Sequence, residues 1–131
     1  MRKLMLDIGF LFAIALLLTA CSSGATPENS ASTGTVNIQV DSDPNPAMMG
    51  DATLTLVITD ENGNPIEGAR VDVSMDHTDM TGMVMSGLAT DQGDGKYAIN
   101  ANFSMSGNWK MTVYVRKDSL DYKEDIELTI Q

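Results

Sequence analysis

The chain has 131 residues, with 18 acidic and 8 basic side chains, a formal charge of −10, one cysteine and one histidine. That balance excludes nucleic acid and anionic lipid surfaces as electrostatic partners, and a single cysteine excludes an internal disulfide or a multi-thiolate metal site. Ten methionines against three phenylalanines, three tyrosines and one tryptophan make sulfur the unusual part of the composition.

Residues 1–20 read as a lipoprotein signal peptide. Arg2 and Lys3 precede the apolar run from Ile8 to Leu18, and Leu18-Thr19-Ala20 stands directly before Cys21. A basic start, an apolar stretch and small residues at a cleavage point are the parts of an export signal. The cysteine after Leu-Thr-Ala resembles the bacterial lipobox, whose cysteine is acylated and opens the mature chain. A plain signal peptide, or a membrane span with an incidental cysteine, is the competing reading. The run is shorter than the roughly 20 residues a span requires, and Asp7 interrupts its front. Cleavage before Cys21 leaves 111 residues, enough for one domain. The signal carries Arg2, Lys3 and Asp7, so the remainder has a charge of −11. The expected location is a bacterial cell envelope, facing the periplasm or the exterior, with the lipid as the membrane partner. Ser22 follows the cysteine, and it is not the aspartate that resembles an inner-membrane retention signal. In a two-membrane cell this favours the outer membrane.

Residues 21–33, the lipidated cysteine and Ser22 to Thr33, are small and polar and read as a flexible tether. From Gly34 to Gln131 the pattern changes to period-two alternation, the mark of half-buried strands. Val36, Ile38 and Val40 predict a first strand, and Leu54, Leu56 and Ile58 a second. The cluster Asp60-Glu61-Asn62-Gly63-Asn64-Pro65 predicts the turn that ends the second strand. Val71, Val73 and Met75 predict a third strand, and Met83 to Thr90 a weaker fourth that stops at Asp91-Gln92-Gly93-Asp94-Gly95. Tyr97, Ile99, Ala101 and Phe103 predict the fifth, Trp109, Met111, Val113 and Val115 the sixth, and Ile126, Leu128 and Ile130 the seventh. No apolar stripe of helical period follows the signal. The fold class is therefore all-β, an immunoglobulin-like antiparallel β-sandwich of about seven strands over residues 34–131.

Enzymatic chemistry is not expected. His77 is alone, and no nucleophile elbow, phosphate loop or paired-histidine zinc motif is present. Asp91 to Asp94 lacks the spaced oxygen ligands of a calcium loop and reads as a solvated turn. Methionine offers the remaining chemistry. Met75, Met80, Met83 and Met85 flank His77 within eleven residues. Thioether sulfur is a soft neutral donor suited to Cu(I), and imidazole suits copper as well as zinc. Met75 and Met111 continue strand phases and read as core fillers. Met80 and Met83 flank Thr81-Gly82, Met105 sits in Ser104-Met105-Ser106-Gly107, and Met48-Met49 lies between Pro46-Ala47 and Gly50, all in loops. For Met80, Met83, Met105 and His77, metal ligation and adaptable packing or partner contact both stand open.

Four segments carry a family resemblance. They are Asp60 to Val73 with its Asn62-Gly63-Asn64-Pro65 turn, Met80-Thr81-Gly82-Met83, Gly95-Lys96-Tyr97, and Phe103-Ser104-Met105-Ser106-Gly107-Asn108-Trp109. Together they resemble the YtkA-like domain, which is related to the FixH proteins of cytochrome oxidase assembly. The resemblance implies an exported immunoglobulin-like sandwich, often linked to copper handling. It places Met80, Met83 and Met105 at the family's methionine positions and Trp109 between the sheets. Thr81 replaces the usual proline, and no histidine follows Met83 directly. The resulting expectation is an envelope lipoprotein anchored at Cys21. It would buffer or deliver Cu(I) through Met80, Met83 and Met105, with His77 as a possible fourth donor and an oxidase or efflux protein as recipient. The alternative is a protein-interaction module that uses the same methionines without metal. A third reading makes them scavengers of oxidants.

Overall fold

The computed structural model describes residues 35–131. The signal sequence, Cys21 and the tether lie outside them. Among the described residues no helix is long and apolar enough to cross a membrane.

Alternation of apolar and polar side chains produces seven strands: β1 (Val36–Asp43), β2 (Gly50–Asp60), β3 (Arg70–His77), β4 (Val84–Gly93), β5 (Lys96–Phe103), β6 (Gly107–Lys117) and β7 (Leu120–Ile130). All pairings are antiparallel, in the order β1-β2-β5-β4-β3-β6-β7. The expected all-β sandwich is therefore the fold.

Strand β4 belongs to both layers. Its first half, from Val84 to Ala89, pairs with β3. Its second half pairs with β5, where the register shifts between Asp91 and Gly93. The extra residue bends and twists the strand, which lets one chain segment turn the corner between the sheets. On the far side the β1–β2 loop closes on the end of β7. Met49 N–H donates to the Gln131 carbonyl at 2.8 Å, and Gln131 N–H donates to the Ala47 carbonyl at 2.9 Å.

Each strand turns one row of side chains into a shared core. Leu54, Leu56, Ile58, Tyr97 and Phe103 come from one sheet; Val71, Val73, Met75, Trp109, Met111, Val113 and Val115 come from the other. Met75 and Met111 are directly opposed neighbours in that core. This is the packing role their strand phase implied. Trp109 lies between the sheets, its ring edge-on to Phe103 with centroids 5.3 Å apart. Every buried side-chain nitrogen and oxygen among the described residues has a hydrogen-bond partner.

The seventh strand begins six residues earlier than the expected Ile126, at Leu120. Leu120 and Tyr122 already point to the core in phase with Ile126 and Leu128. The charged residues between them simply occupy the solvent face and the rim.

Candidate functional site

Antiparallel order decides which loops meet. The last residue of β3, His77, pairs with Trp109 near the start of β6, and the first residue of β2, Gly50, pairs with Phe103 at the end of β5. Gly107, which opens β6, pairs with Ile130 at the end of β7. Loops 44–49, 78–83 and 104–106 therefore emerge at one pole, beside the last residue, Gln131. These loops carry Met48, Met49, Met80, Met83 and Met105.

His77 is the keystone beneath them. Its side chain is buried and packs edge-on against Trp109, with ring centroids 5.0 Å apart. The Asp79 amide N–H donates to Nδ1 at 3.2 Å, and Nε2 lies 3.2 Å from the Ser106 carbonyl. A nitrogen that accepts carries no proton, so the network assigns the hydrogen to Nε2, which donates to Ser106. One imidazole thus ties the 78–83 loop to the 104–106 loop. The backbone repeats the tie. His77 N–H donates to the Met83 carbonyl at 3.1 Å, and Thr78 gives its N–H and its hydroxyl to the Asn108 carbonyl at 2.9 and 3.0 Å. The Trp109 indole N–H donates to the Met105 carbonyl at 3.2 Å.

Gly107 makes this closeness possible. Its φ is 124°, and a Cβ there would stand 2.9 Å from His77 Nε2. A side chain would push the imidazole off the Ser106 carbonyl. The Gly-Asn-Trp segment thus has a mechanical meaning: glycine admits the histidine, and tryptophan supports it.

The thioethers divide by depth. Met75 and Met111 are in the core, Met83 and Met85 are half-buried against it, and Met105 is half-buried. Met80 is 46% exposed, Met48 50% and Met49 58%. The expected ligands Met80, Met83 and Met105 thus come from two loops joined through His77. His77 itself has both ring nitrogens engaged, so it offers a lone pair to a metal only by releasing the Asp79 amide. Met48 and Met49, read from the sequence as loop residues and no more, share the same pole. Among the described residues no three side chains of the His, Cys, Asp and Glu set are grouped to hold a metal ion.

The molecule is thus an all-antiparallel, immunoglobulin-like sandwich with a methionine-bearing loop pole. The chain belongs to the YtkA-like family, whose model matches residues 29–114, a span that includes all three methionine loops, His77 and Trp109. No curated protein matches the chain. Among solved structures, MtrC from Shewanella baltica OS185 is similar over 74% of this chain, with 13% identity and a TM-score of 0.44. The chain spans only 22% of that protein's length.

Proposed function

We propose that this chain is an envelope lipoprotein, anchored through Cys21, whose sandwich holds and passes on Cu(I) at the methionine pole. The supporting observation is the convergence of three loops bearing five methionines on one end of a domain without a thiol. A large apolar side chain in a loop gains little from the core, and Met80, Met48 and Met49 stand about half exposed there. Cu(I) accepts few, soft, neutral donors, and thioethers are such donors. Met80, Met83 and Met105 are the proposed ligands. His77 holds the two ligand loops in register and donates directly only where Nδ1 gives up its backbone partner. The role is buffering or delivery, not catalysis.

Competition titration of the chain against a cuprous chelator tests this reading. Combined Met80→Leu, Met83→Leu and Met105→Leu substitution keeps apolar volume and removes sulfur. It is expected to weaken Cu(I) binding by about 100-fold, near 2.7 kcal/mol. Unchanged affinity would count against these ligands. The exposure of Met80, Met48 and Met49 also fits a second reading, a soft contact surface for another exported protein. In that case the unsubstituted chain fails to compete for copper at all, and the leucine variants retain their partner.

A further inference from the structure

Four strand edges border the two sheets, and three types of edge chemistry are present. Strand β1 carries Asp41 and Asp43, and β7 carries Asp121, Lys123, Glu124, Asp125 and Glu127. Charges of this kind blunt an edge against pairing with another chain. The flank where β4 changes sheets is different. Residues 84–90 of β4 and 98–103 of β5 contain no ionisable side chain and no proline. From Val84 to Ala89, β4 has β3 on one side and no strand on the other among the described residues. A cleft of about 630 Å³ separates this edge from β5, with Met75 and Met85 among its lining residues.

We infer that the Val84–Ala89 edge pairs with the same edge of a second copy of this chain, forming a two-fold dimer. Symmetry and side-chain parity select the register. Val84 and Leu88 face outward and are 58% and 55% exposed, the only large apolar side chains besides methionines so exposed among the described residues. Ser86 shares their face; Met85, Gly87 and Ala89 face inward. Antiparallel pairing sets residues of one face directly opposite each other, so the two-fold axis must pass through a residue. An axis at Ser86 sets Val84 against Leu88 of the other copy, and Leu88 against Val84, so both exposed apolar side chains are covered by one operation. It also sets Met85 against Gly87, where no side chain competes for space. An isologous contact needs this self-complementarity.

Charge along the strand itself does not oppose the pairing: residues 84–90 carry no ionisable side chain, and the nearest acids on that face, Asp72 and Asp76, lie one strand back on β3. The contact is small, below about 1,200 Å² in total for one strand pair and its surroundings, so attachment to a common membrane would assist it. Antiparallel pairing points the two methionine poles in opposite directions.

Cysteine cross-linking of the full chain in the envelope of expressing cells tests the inference. With mild oxidation, Ser86→Cys is expected to give a species of twice the chain's mass, because residue 86 lies on the axis. Ser74→Cys, on the same face but on the inner strand β3, is expected to give none, the sulfur of Cys21 being blocked by the proposed lipid. Adding Leu88→Lys to Ser86→Cys is expected to reduce the cross-linked species about tenfold, and Val84→Lys, at the other end of the contact, to act alike. Both lysines replace exposed residues, so folding is spared. A monomer alone, a cross-link indifferent to Leu88→Lys and Val84→Lys, or a cross-link to a different protein would each overturn the second-copy pairing.

Discussion

At the pole formed by residues 61–69, 94–95 and 118–119, carboxylates and a tyrosine hydroxyl hold the loops, whereas at the methionine pole the loops are held by His77, Thr78 and Trp109. The Asp60 carboxylate accepts the amides of Asn62 and Asn64 at 2.8 and 2.9 Å and the Asn64 side chain at 3.1 Å. Asp91 accepts Gly93 and Gly68 at 2.7 and 2.9 Å, and Glu67 accepts Asp94 at 2.9 Å. The Tyr97 hydroxyl donates to the Ile66 carbonyl at 2.7 Å and accepts the Ala69 amide at 3.0 Å. Every one of these contacts spends a polar side chain on holding a turn. At the methionine pole the holding is done from below, by His77, Trp109 and Gly107. The thioethers on these loops bond the backbone poorly and stay available. One end of the sandwich is closed chemically, and the other is closed mechanically but left chemically open.

The sharpest way to break this difference is to disturb the support without touching sulfur. Gly107→Ala places a Cβ 2.9 Å from His77 Nε2 at a φ of 124°. The combined clash and backbone strain are expected to cost about 2–3 kcal/mol in chemical denaturation. Because Ser106 and Met105 shift with residue 107, Cu(I) affinity is expected to fall in the same variant. A destabilised Gly107→Ala chain with intact copper affinity would separate the support from the site.

The next effect belongs to the other pole. Tyr97→Phe keeps the buried ring and deletes the hydroxyl, leaving the Ala69 amide and the Ile66 carbonyl without that partner. A loss of about 1–2 kcal/mol in denaturant unfolding is expected. Copper affinity is expected to stay unchanged, since Tyr97 sits at the far end of β5 from Met105.

How much of this was legible beforehand depended on the range of the signal. The strands were readable because alternation is local: Val71-Asp72-Val73 and Trp109-Lys110-Met111 declare their faces within three residues. The start of β7 was obscured because Lys123-Glu124-Asp125 interrupts the apolar count, although Leu120 and Tyr122 keep the phase. The division of β4 between sheets rests on a register shift at Asp91–Gly93, for which Gly93 is the only local hint. Met80, Met83 and Met105 were identifiable as loop residues from their glycine and serine neighbours. The union of Met48 and Met49 with them was missed, yet the signal existed in strand parity. In an antiparallel sandwich whose successive strands alternate direction, the first, third and fifth loops emerge at one end. The ring contact of His77 with Ser106 was not readable, because those residues meet only once β3 and β6 pair, and the Asp79 contact, though only two residues away, depends on how the loop turns.

The smallest expected effect concerns acid and base, and it separates the poles by titration. Backbone hydrogen bonds, from Asn64 first for Asp60 and from Gly93 first for Asp91, hold these carboxyls below the usual aspartate range. A carboxylate with a lowered folded-state pKa stabilises the fold above its unfolded pKa of about 3.9. That contribution is lost as pH falls through the folded-state value. Burial pushes the Tyr97 hydroxyl up. Above about pH 10 the unfolded chain therefore releases that proton first, and stability falls again. Below about pH 4, amide exchange protection at Asn64, Gly68 and Gly93 is expected to drop before protection at Thr78 and Gln131, whose partners are backbone carbonyls with no proton to gain in this range. Simultaneous loss at both ends would show that the carboxylate network holds the whole sandwich and not one pole.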